Sequence, residues 1–425
     1  MIKQTLTLAL LAGATTLVNV LFQWYVITHL GVGIETDALF AGMAVPQFIL
    51  LVMSSTLPPV LVPILATEDE STFRQNAWGF FLGVTGIFTL LAVALFVTAA
   101  YWVPLLVPGF SATARALAVI LTRIQLVNMV FTASLSILWG IYRARHKFIW
   151  VELSALLSGA FVLALLVPVL RVYGIAGATL LLVLETGLQM ACLLPGLGRW
   201  QRPDWGSTAM REAWRRIRPL LVGMSYLRTD LLTDRLLASM APVGGLSLLN
   251  IGQQIFGVAN MVAEKAISTP MVPKLAMEAG AQKWPEFKHT YRQRLLLIGG
   301  LALSGYAVLL IAGERILNLL IGHGGVTRDN VHLLWQIMVA MGGFLIAGAM
   351  GLITWAGFYA MGDTRTPTWA WMITYTLYIP AKVFAFLRFG LIGLAAITSA
   401  YLFLNLAIQI VLLEGFVIPK RLRNS

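Results

Sequence analysis

Arg228, Asp230, Asp234 and Arg235 fall together inside a stretch that is otherwise apolar. Spaced i, i+4 on a helix, Asp230 and Asp234 share one face, with the two arginines flanking them. The group reads either as internal neutralisation or as a site that holds charge. Glu264 and Lys265 form a second pair in an apolar run. Neighbours on a helix point in different directions, so one side chain can face a cavity and the other an adjacent helix; a position near water needs no role at all. Asp37 follows the turn Gly31-Val32-Gly33 and is either a helix cap at the membrane surface or a gating or coupling acid. Arg123 can grip an anionic headgroup through its guanidinium fork, or snorkel to the interface. Lys382 is the last cation inside an apolar segment. Buried ionisable groups of this kind are costly in hydrocarbon and face a cavity or a partner.

Their chemistry is the binding and movement of charge. Five histidines are scattered without ligand spacing, Cys192 is the only cysteine, and there is no nucleophile motif or phosphate-binding glycine loop. No disulfide is possible. Neither catalytic residues, a metal nor a cofactor is expected; coupling to sodium ions, protons or the membrane potential is left open.

The elements that must position these groups follow from composition. Hydrophobic residues make up 59% of the 425, charged residues 11%, and mean hydropathy is +0.82. A soluble domain is roughly half apolar and a quarter charged, so this is an integral membrane protein. About 20 apolar residues cross the hydrocarbon core, as helices that bond their own backbone. That ruler gives an all-α chain of twelve spans: 5–30, 38–65, 77–106, 116–141, 149–170, 173–197, 219–240, 246–273, 295–321, 331–360, 368–387 and 391–416. The first resembles a signal peptide but has no cleavage site, and is expected to be retained. Pro46, Pro58, Pro59 and Pro63 predict a kinked second span, and Pro270 and Pro273 a kinked eighth.

Basic residues set the orientation. With the N-terminus in the cytoplasm, that side receives Lys3, Arg74, Arg143, Arg145, Lys147, the six arginines of 198–219, Lys274 to Arg294, Arg365, Lys420, Arg421 and Arg423. The opposite face receives only Arg115, Arg171, Arg315, Arg328 and Arg388. The net charge of +12 thus marks topology and contact with anionic lipids, not a nucleic-acid partner. Lobes are expected at 1–197 and 219–416, joined by a basic linker 198–218 and followed by a basic tail 417–425. In the linker, Met210, Ala213, Trp214 and Ile217 oppose Arg211, Arg215 and Arg218, which predicts a short interfacial helix.

The two halves repeat. Val62-Pro63-Ile64-Leu65-Ala66 pairs with Val272-Pro273-Lys274-Leu275-Ala276, at an offset of 210, and Gly174-Ile175-Ala176-Gly177 with Gly390-Leu391-Ile392-Gly393, at 216. Between them, 105–124 matches 319–337, and Gly140-Ile141-Tyr142 matches Gly357-Phe358-Tyr359. An even number of helices per copy makes the repeats parallel, as in transporters that bind at the seam between halves.

These landmarks resemble the MviN/MurJ-type lipid II flippases of the multidrug/oligosaccharidyl-lipid/polysaccharide exporter superfamily. The similar stretches are Thr36-Asp37-Ala38-Leu39-Phe40, Pro108-Gly109-Phe110 with Leu121-Thr122-Arg123-Ile124, Asp234-Arg235-Leu236-Leu237-Ala238-Ser239, Pro270-Met271-Val272-Pro273-Lys274-Leu275, and Phe358-Tyr359-Ala360 with Asp363-Thr364-Arg365-Thr366-Pro367. The resemblance implies a monomeric inner-membrane flippase that carries an undecaprenyl-pyrophosphate-linked glycan to the periplasmic face by alternating access. Family arginines implied to hold the pyrophosphate align with Thr16, Phe22, Leu50 and Gln254 here, and the family's two further C-terminal helices have no counterpart. Glu264 and Lys265 stand where the family has small or apolar residues and are candidates to replace those arginines. The acid matching Asp234 belongs to a family cation site, whose other nearest matches here are Lys382 and Thr398; an ammonium at Lys382 would stand in for a sodium ion and pair with Asp234. These departures keep two alternatives open, a flippase for an exopolysaccharide or O-antigen repeat unit and a cation-coupled drug antiporter of the same superfamily.

Overall fold

The computed structural model describes residues 2–418, apart from the side chains of 2–6, 9, 266 and 268–270. The basic tail expected at 417–425, with Lys420, Arg421 and Arg423, lies almost wholly outside the described residues, as does the Lys3 side chain. The described residues form helices and short connections without strands. Eight segments among them are long and apolar enough to cross a membrane. The chain divides into two compact units, Met1–Gly244 and Gly245–Ser425.

The first unit holds α1 (Ile2–Leu30), α2 (Ile34–Gly42), α3 (Ala44–Ala66), α4 (Glu70–Leu106), α5 (Ala112–Ala144), α6 (Phe148–Leu193) and α7 (Thr208–Ser239). One expectation changes here. The second span is broken, but at Met43 between α2 and α3 and not at a proline; α3 runs on through Pro58, Pro59 and Pro63. The fifth and sixth spans are the two limbs of α6, which meet at Gly174, where φ is 55° and ψ is −142°. Only glycine takes that conformation readily.

At this bend the chain doubles back. A side-chain carbon at Gly177 would press on the Val169 carbonyl, eight residues earlier, whereas eight residues of straight helix span about 12 Å. The second unit repeats the device. Gly390 has φ 60° and ψ −145°, and Gly393 lies against the Ala385 carbonyl, again eight residues back. One glycine supplies the left-handed turn and the other the close approach.

The linker is not a solvated tether. Its segment 198–207 is strapped to the start of α4: Trp78 Nε1 donates to the Arg199 carbonyl at 3.2 Å, and the Trp78 and Trp200 rings pack edge-on at 4.8 Å. Gly83 meets Trp205, and Gly79 meets Met210. Ser207 caps α7 by accepting from the Met210 amide and bonds Asn76 Oδ1 at 3.0 Å; Asn76 Nδ2 donates to Glu68 Oε1 at 2.6 Å. Glu70 takes Arg74 and Arg145 at 2.8 Å each. The expected interfacial helix is therefore the first part of a continuous 32-residue helix. Ala209, Ala213 and Ile217 bury into a core with Leu61, Leu65, Ala77 and Ile141. Trp214 is not on that face: it is half-exposed, with Arg218 over its ring at 4.7 Å.

In the second unit, α8 (Gly245–Ala263) passes through a π-helical turn, Glu264–Ser268, into α9 (Thr269–Gly280). Then come α10 (Trp284–Ile321), α11 (Arg328–Ala340), α12 (Gly342–Ala360) and α13 (Arg365–Leu412), ending in a second π-helical turn at Leu413–Val417. The expected tenth span is two helices broken at Met341. Ser399 fills the break, accepting from the Gly343 amide at 3.0 Å and donating to the Ala340 carbonyl at 2.6 Å. Phe287, Tyr291, Ile353, Phe358 and Leu413 close the core.

Two outcomes test this packing. Gly177→Val and Gly393→Val each force a side chain onto a backbone carbonyl that cannot step aside, and each should cost about 1–3 kcal/mol in detergent-solubilised thermal unfolding; an unchanged midpoint for both would contradict the reversal. Burial raises the Glu68 carboxyl above its ordinary 4.5, against the Asn76 hydrogen bond and with help from the neighbouring Asp69 charge. A raised acid stabilises the fold fully below the unfolded value and loses that contribution as pH rises through the folded one. Glu68→Gln, always neutral, should melt above wild type at neutral pH, with the gain disappearing below about pH 4.5.

Candidate functional site

Three turns meet at one end of the first unit, around Asp37. Gly33 opens α2, and the Thr36 hydroxyl accepts from its amide at 3.0 Å. The Asp37 Oδ2 accepts from the Gly244 amide at 2.6 Å, across 207 residues of sequence, and the side chain is 4% exposed. Gly244 has φ 90° and faces Val32, while Gly109 lies against the Ser239 carbonyl and Met240. This bond is a latch that ties the α1–α2 turn to the end of α7.

Further along α7, Asp234 and Arg235 are both buried, at 4% and 2% exposure, and the acid offsets the guanidinium charge. Asp230 and Arg228 are half-buried, with Arg228 Nη2 at a long 3.5 Å from Ser55 Oγ on α3. Arg123 is turned to α4: its Nε reaches the Phe96 carbonyl at 3.3 Å and its guanidinium lies 5.2 Å from the Phe96 ring centre. Phe96 is 43% exposed, so Arg123 sits on the outer flank of this unit.

The second unit brings Lys382 and Thr398 together across the bend of α13. Lys382 is fully buried, its Nζ 5.0 Å from the Tyr378 ring centre, a cation–π distance. The Tyr378 hydroxyl bonds Thr398 Oγ1 at 2.8 Å, and Thr398 donates to the Leu394 carbonyl at 2.9 Å. Tyr378 stacks on Tyr401 at 4.3 Å, and Asn405 bridges to Thr374 at 2.7 Å. In this half of the implied cation site the Thr398 hydroxyl bonds Tyr378 and the Leu394 carbonyl, and Lys382 lies in the same cluster. Sequence reasoning missed the tyrosines. Tyr375, Tyr378 and Lys382 on one limb, and Thr398, Tyr401 and Asn405 on the other, each follow i, i+3, i+7 spacing, which was the available signal.

Gln254 is half-buried on α8 and donates to Asn250 Oδ1 at 2.6 Å. Glu264 and Lys265 are exposed at the start of the π-helical turn, a feature that sequence periodicity does not reveal and that recurs at functional sites. Thr16, another position aligned with a family arginine, spends its hydroxyl on the Ala12 carbonyl at 2.8 Å.

Residues 26–415 match the family model described as Lipid II flippase MurJ. The chain belongs to this family. A probable lipid II flippase MurJ of Thermotoga maritima is 22% identical over 407 residues, 94% of this chain and 82% of that protein. Another, of Synechocystis, is 22% identical over 395 residues, 86% and 74% of the two chains. A Vibrio cholerae MurJ relative is 24% identical over 239 residues, 53% of this chain and 46% of that protein, so the chain spans about half the length of that relative. The solved lipid II flippase MurJ in an inward closed conformation matches with TM-score 0.83 at 18% identity, over 97% of this chain and 89% of that one. An inward-facing multidrug resistance MATE transporter of the MOP superfamily matches with TM-score 0.79 at 15% identity, over 97% and 96%. At these identities the likeness is one of fold.

For this MurJ family member the Asp37 latch makes a direct expectation. Asp37→Ala leaves the Gly244 amide buried without its acceptor and should cost about 1–3 kcal/mol. Asp37→Asn keeps an acceptor oxygen and should lose less. Equal melting of all three proteins would remove the latch.

Proposed function

We propose that this chain flips a lipid II-like, undecaprenyl-pyrophosphate-linked glycan from the cytoplasmic to the periplasmic face by alternating access. The observation that carries the reading is the family match across residues 26–415. Twelve crossings support it: α6 and α13 each count twice at their glycine reversals, and α7 and the α8–α9 run add two to the eight most apolar segments. Both termini lie in the cytoplasm, as the basic residues of 198–219 and 274–294 require under the positive-inside rule. The protein then works as a monomer in the bacterial inner membrane, with membrane lipids as its other partners, and the Asp37 latch closes its periplasmic end. Lys382 takes the place of a mobile coupling cation.

A second reading has one observation behind it. Thr16, Phe22, Leu50 and Gln254 stand at the positions aligned with the family's phosphate-holding arginines, which favours a lipid-linked exopolysaccharide or O-antigen unit as cargo.

Complementation separates the two. Growth of cells depleted of their own lipid II flippase, restored by this chain, supports the first; no rescue, with surface polysaccharide lost on deletion, supports the second. Lys382→Met, close in volume but uncharged, should lower flipping at least about tenfold, while wild-type flipping should not depend on sodium. Sodium-dependent flipping that survives Lys382→Met would overturn the tethered cation.

A further inference from the structure

The second unit carries a groove of about 620 Å³ walled by α8 and α10, a volume typical of small-molecule sites. Along α10 it runs from Ile298 to Leu320, about 33 Å of helix, which matches the hydrocarbon thickness of a bilayer. Its floor is made concave by small residues, among them Ala259, Ala302 and Gly305. Among the described residues Asn260 is the only polar side chain lining it, and it donates to the Phe344 carbonyl at 2.9 Å. The groove therefore offers an apolar chain a bed as deep as the membrane and nothing for a polar one.

One end of the groove differs from the other. Lys265 stands one turn beyond Val262, and Arg294 one turn before Ile298 on α10, and Val262 and Ile298 both line the groove. Both side chains are exposed. Neither has an ion pair or side-chain hydrogen bond among the described residues. Two separate cations complement a pyrophosphate, with at least two negative charges, better than a singly charged phosphodiester. In the proposed topology Arg294 falls at the cytoplasmic edge of its span and Lys265 in the cytoplasmic half of the eighth span, the side from which the substrate is loaded.

We infer that this groove seats the polyprenyl tail of the lipid-linked substrate, with the pyrophosphate held at Lys265 and Arg294. The inference rests on the flippase reading above and gives the tail a site within this chain's own helices.

Native mass spectrometry of the full chain with undecaprenyl pyrophosphate tests it, with phosphatidylglycerol and uncharged undecaprenol as comparison ligands. Gly305 is the position to fill, because a side-chain carbon there meets nothing within 4 Å. Gly305→Phe should lower undecaprenyl pyrophosphate binding at least about tenfold with an unchanged melting temperature, and Gly305→Ala should bind as wild type does. Lys265→Gln with Arg294→Gln should abolish the preference for the pyrophosphate over undecaprenol. Wild-type binding and flipping that persist in Gly305→Phe would overturn the groove alone and leave the flippase reading standing. Equal loss of phosphatidylglycerol in Gly305→Phe, with no preference for the pyrophosphate in wild type, would make the groove a bed for bulk lipid and overturn the inference. No binding and no flipping by wild type would overturn both.

Discussion

A hydrocarbon solvent offers no hydrogen bonds, so every point at which a membrane chain leaves the α-helix must be answered from within the protein. Among the described residues, several of the places where the chain leaves it are met by a specific group. Ser399 serves both sides of the break at Met341. The turn after α7 gives its Gly244 amide to Asp37. The terminal π-helical turn carries Glu414, which takes the Arg292 Nε at 3.1 Å. Irregular backbone and polar side chains are thus placed together, and the polar groups that remain are the ones left for function.

The same economy governs charge. An ionised side chain in a low-dielectric interior is tolerated only with a partner, and in the second unit one neighbour of the buried Lys382 is aromatic: its Nζ lies over Tyr378, with Tyr401 stacked behind. In the first unit the linker arginines stay at the surface, where Glu212 pairs with Arg215 and Arg216 and its carboxyl is held below the ordinary range by their hydrogen bonds and charge. Charge density thus falls from the linker to the span within a single helix, α7. Its first part needs water; its last part does not.

Hydropathy and glycine spacing made most of the fold legible. The run lengths located the helices because twenty residues is a physical thickness, and Gly174-x-x-Gly177 with Gly390-x-x-Gly393 were visible before their geometry was known. What escaped was everything set by a distant partner. Nothing near Asp37 in sequence names Gly244 as its donor, and Gly42 and Pro46, which flank the break at Met43, do not set it apart from the later prolines that α3 runs through. Trp214 was misplaced for a related reason: an aromatic at helical spacing satisfies a periodicity count equally well on a core face or a wet one, and here Arg218 claims it. The tyrosines of α13 were missed because in an oily helix an aromatic stripe does not stand out from its background.

A tethered cation also changes what can drive transport. A mobile ion delivers the free energy of its concentration gradient because it enters on one side and leaves on the other. An ammonium bonded to α13 cannot leave, so under the proposed exchange of Lys382 for that cation no gradient of the cation would be spent. Proton movement and the membrane field would then be the sources to test, and the field contributes about 2.3 kcal/mol per charge per 100 mV moved fully across it. A buried lysine that shifts only part of that depth captures only part of that energy. The resetting of the empty carrier, in which no substrate charge moves, is then the step at which the Lys382 charge would weigh most.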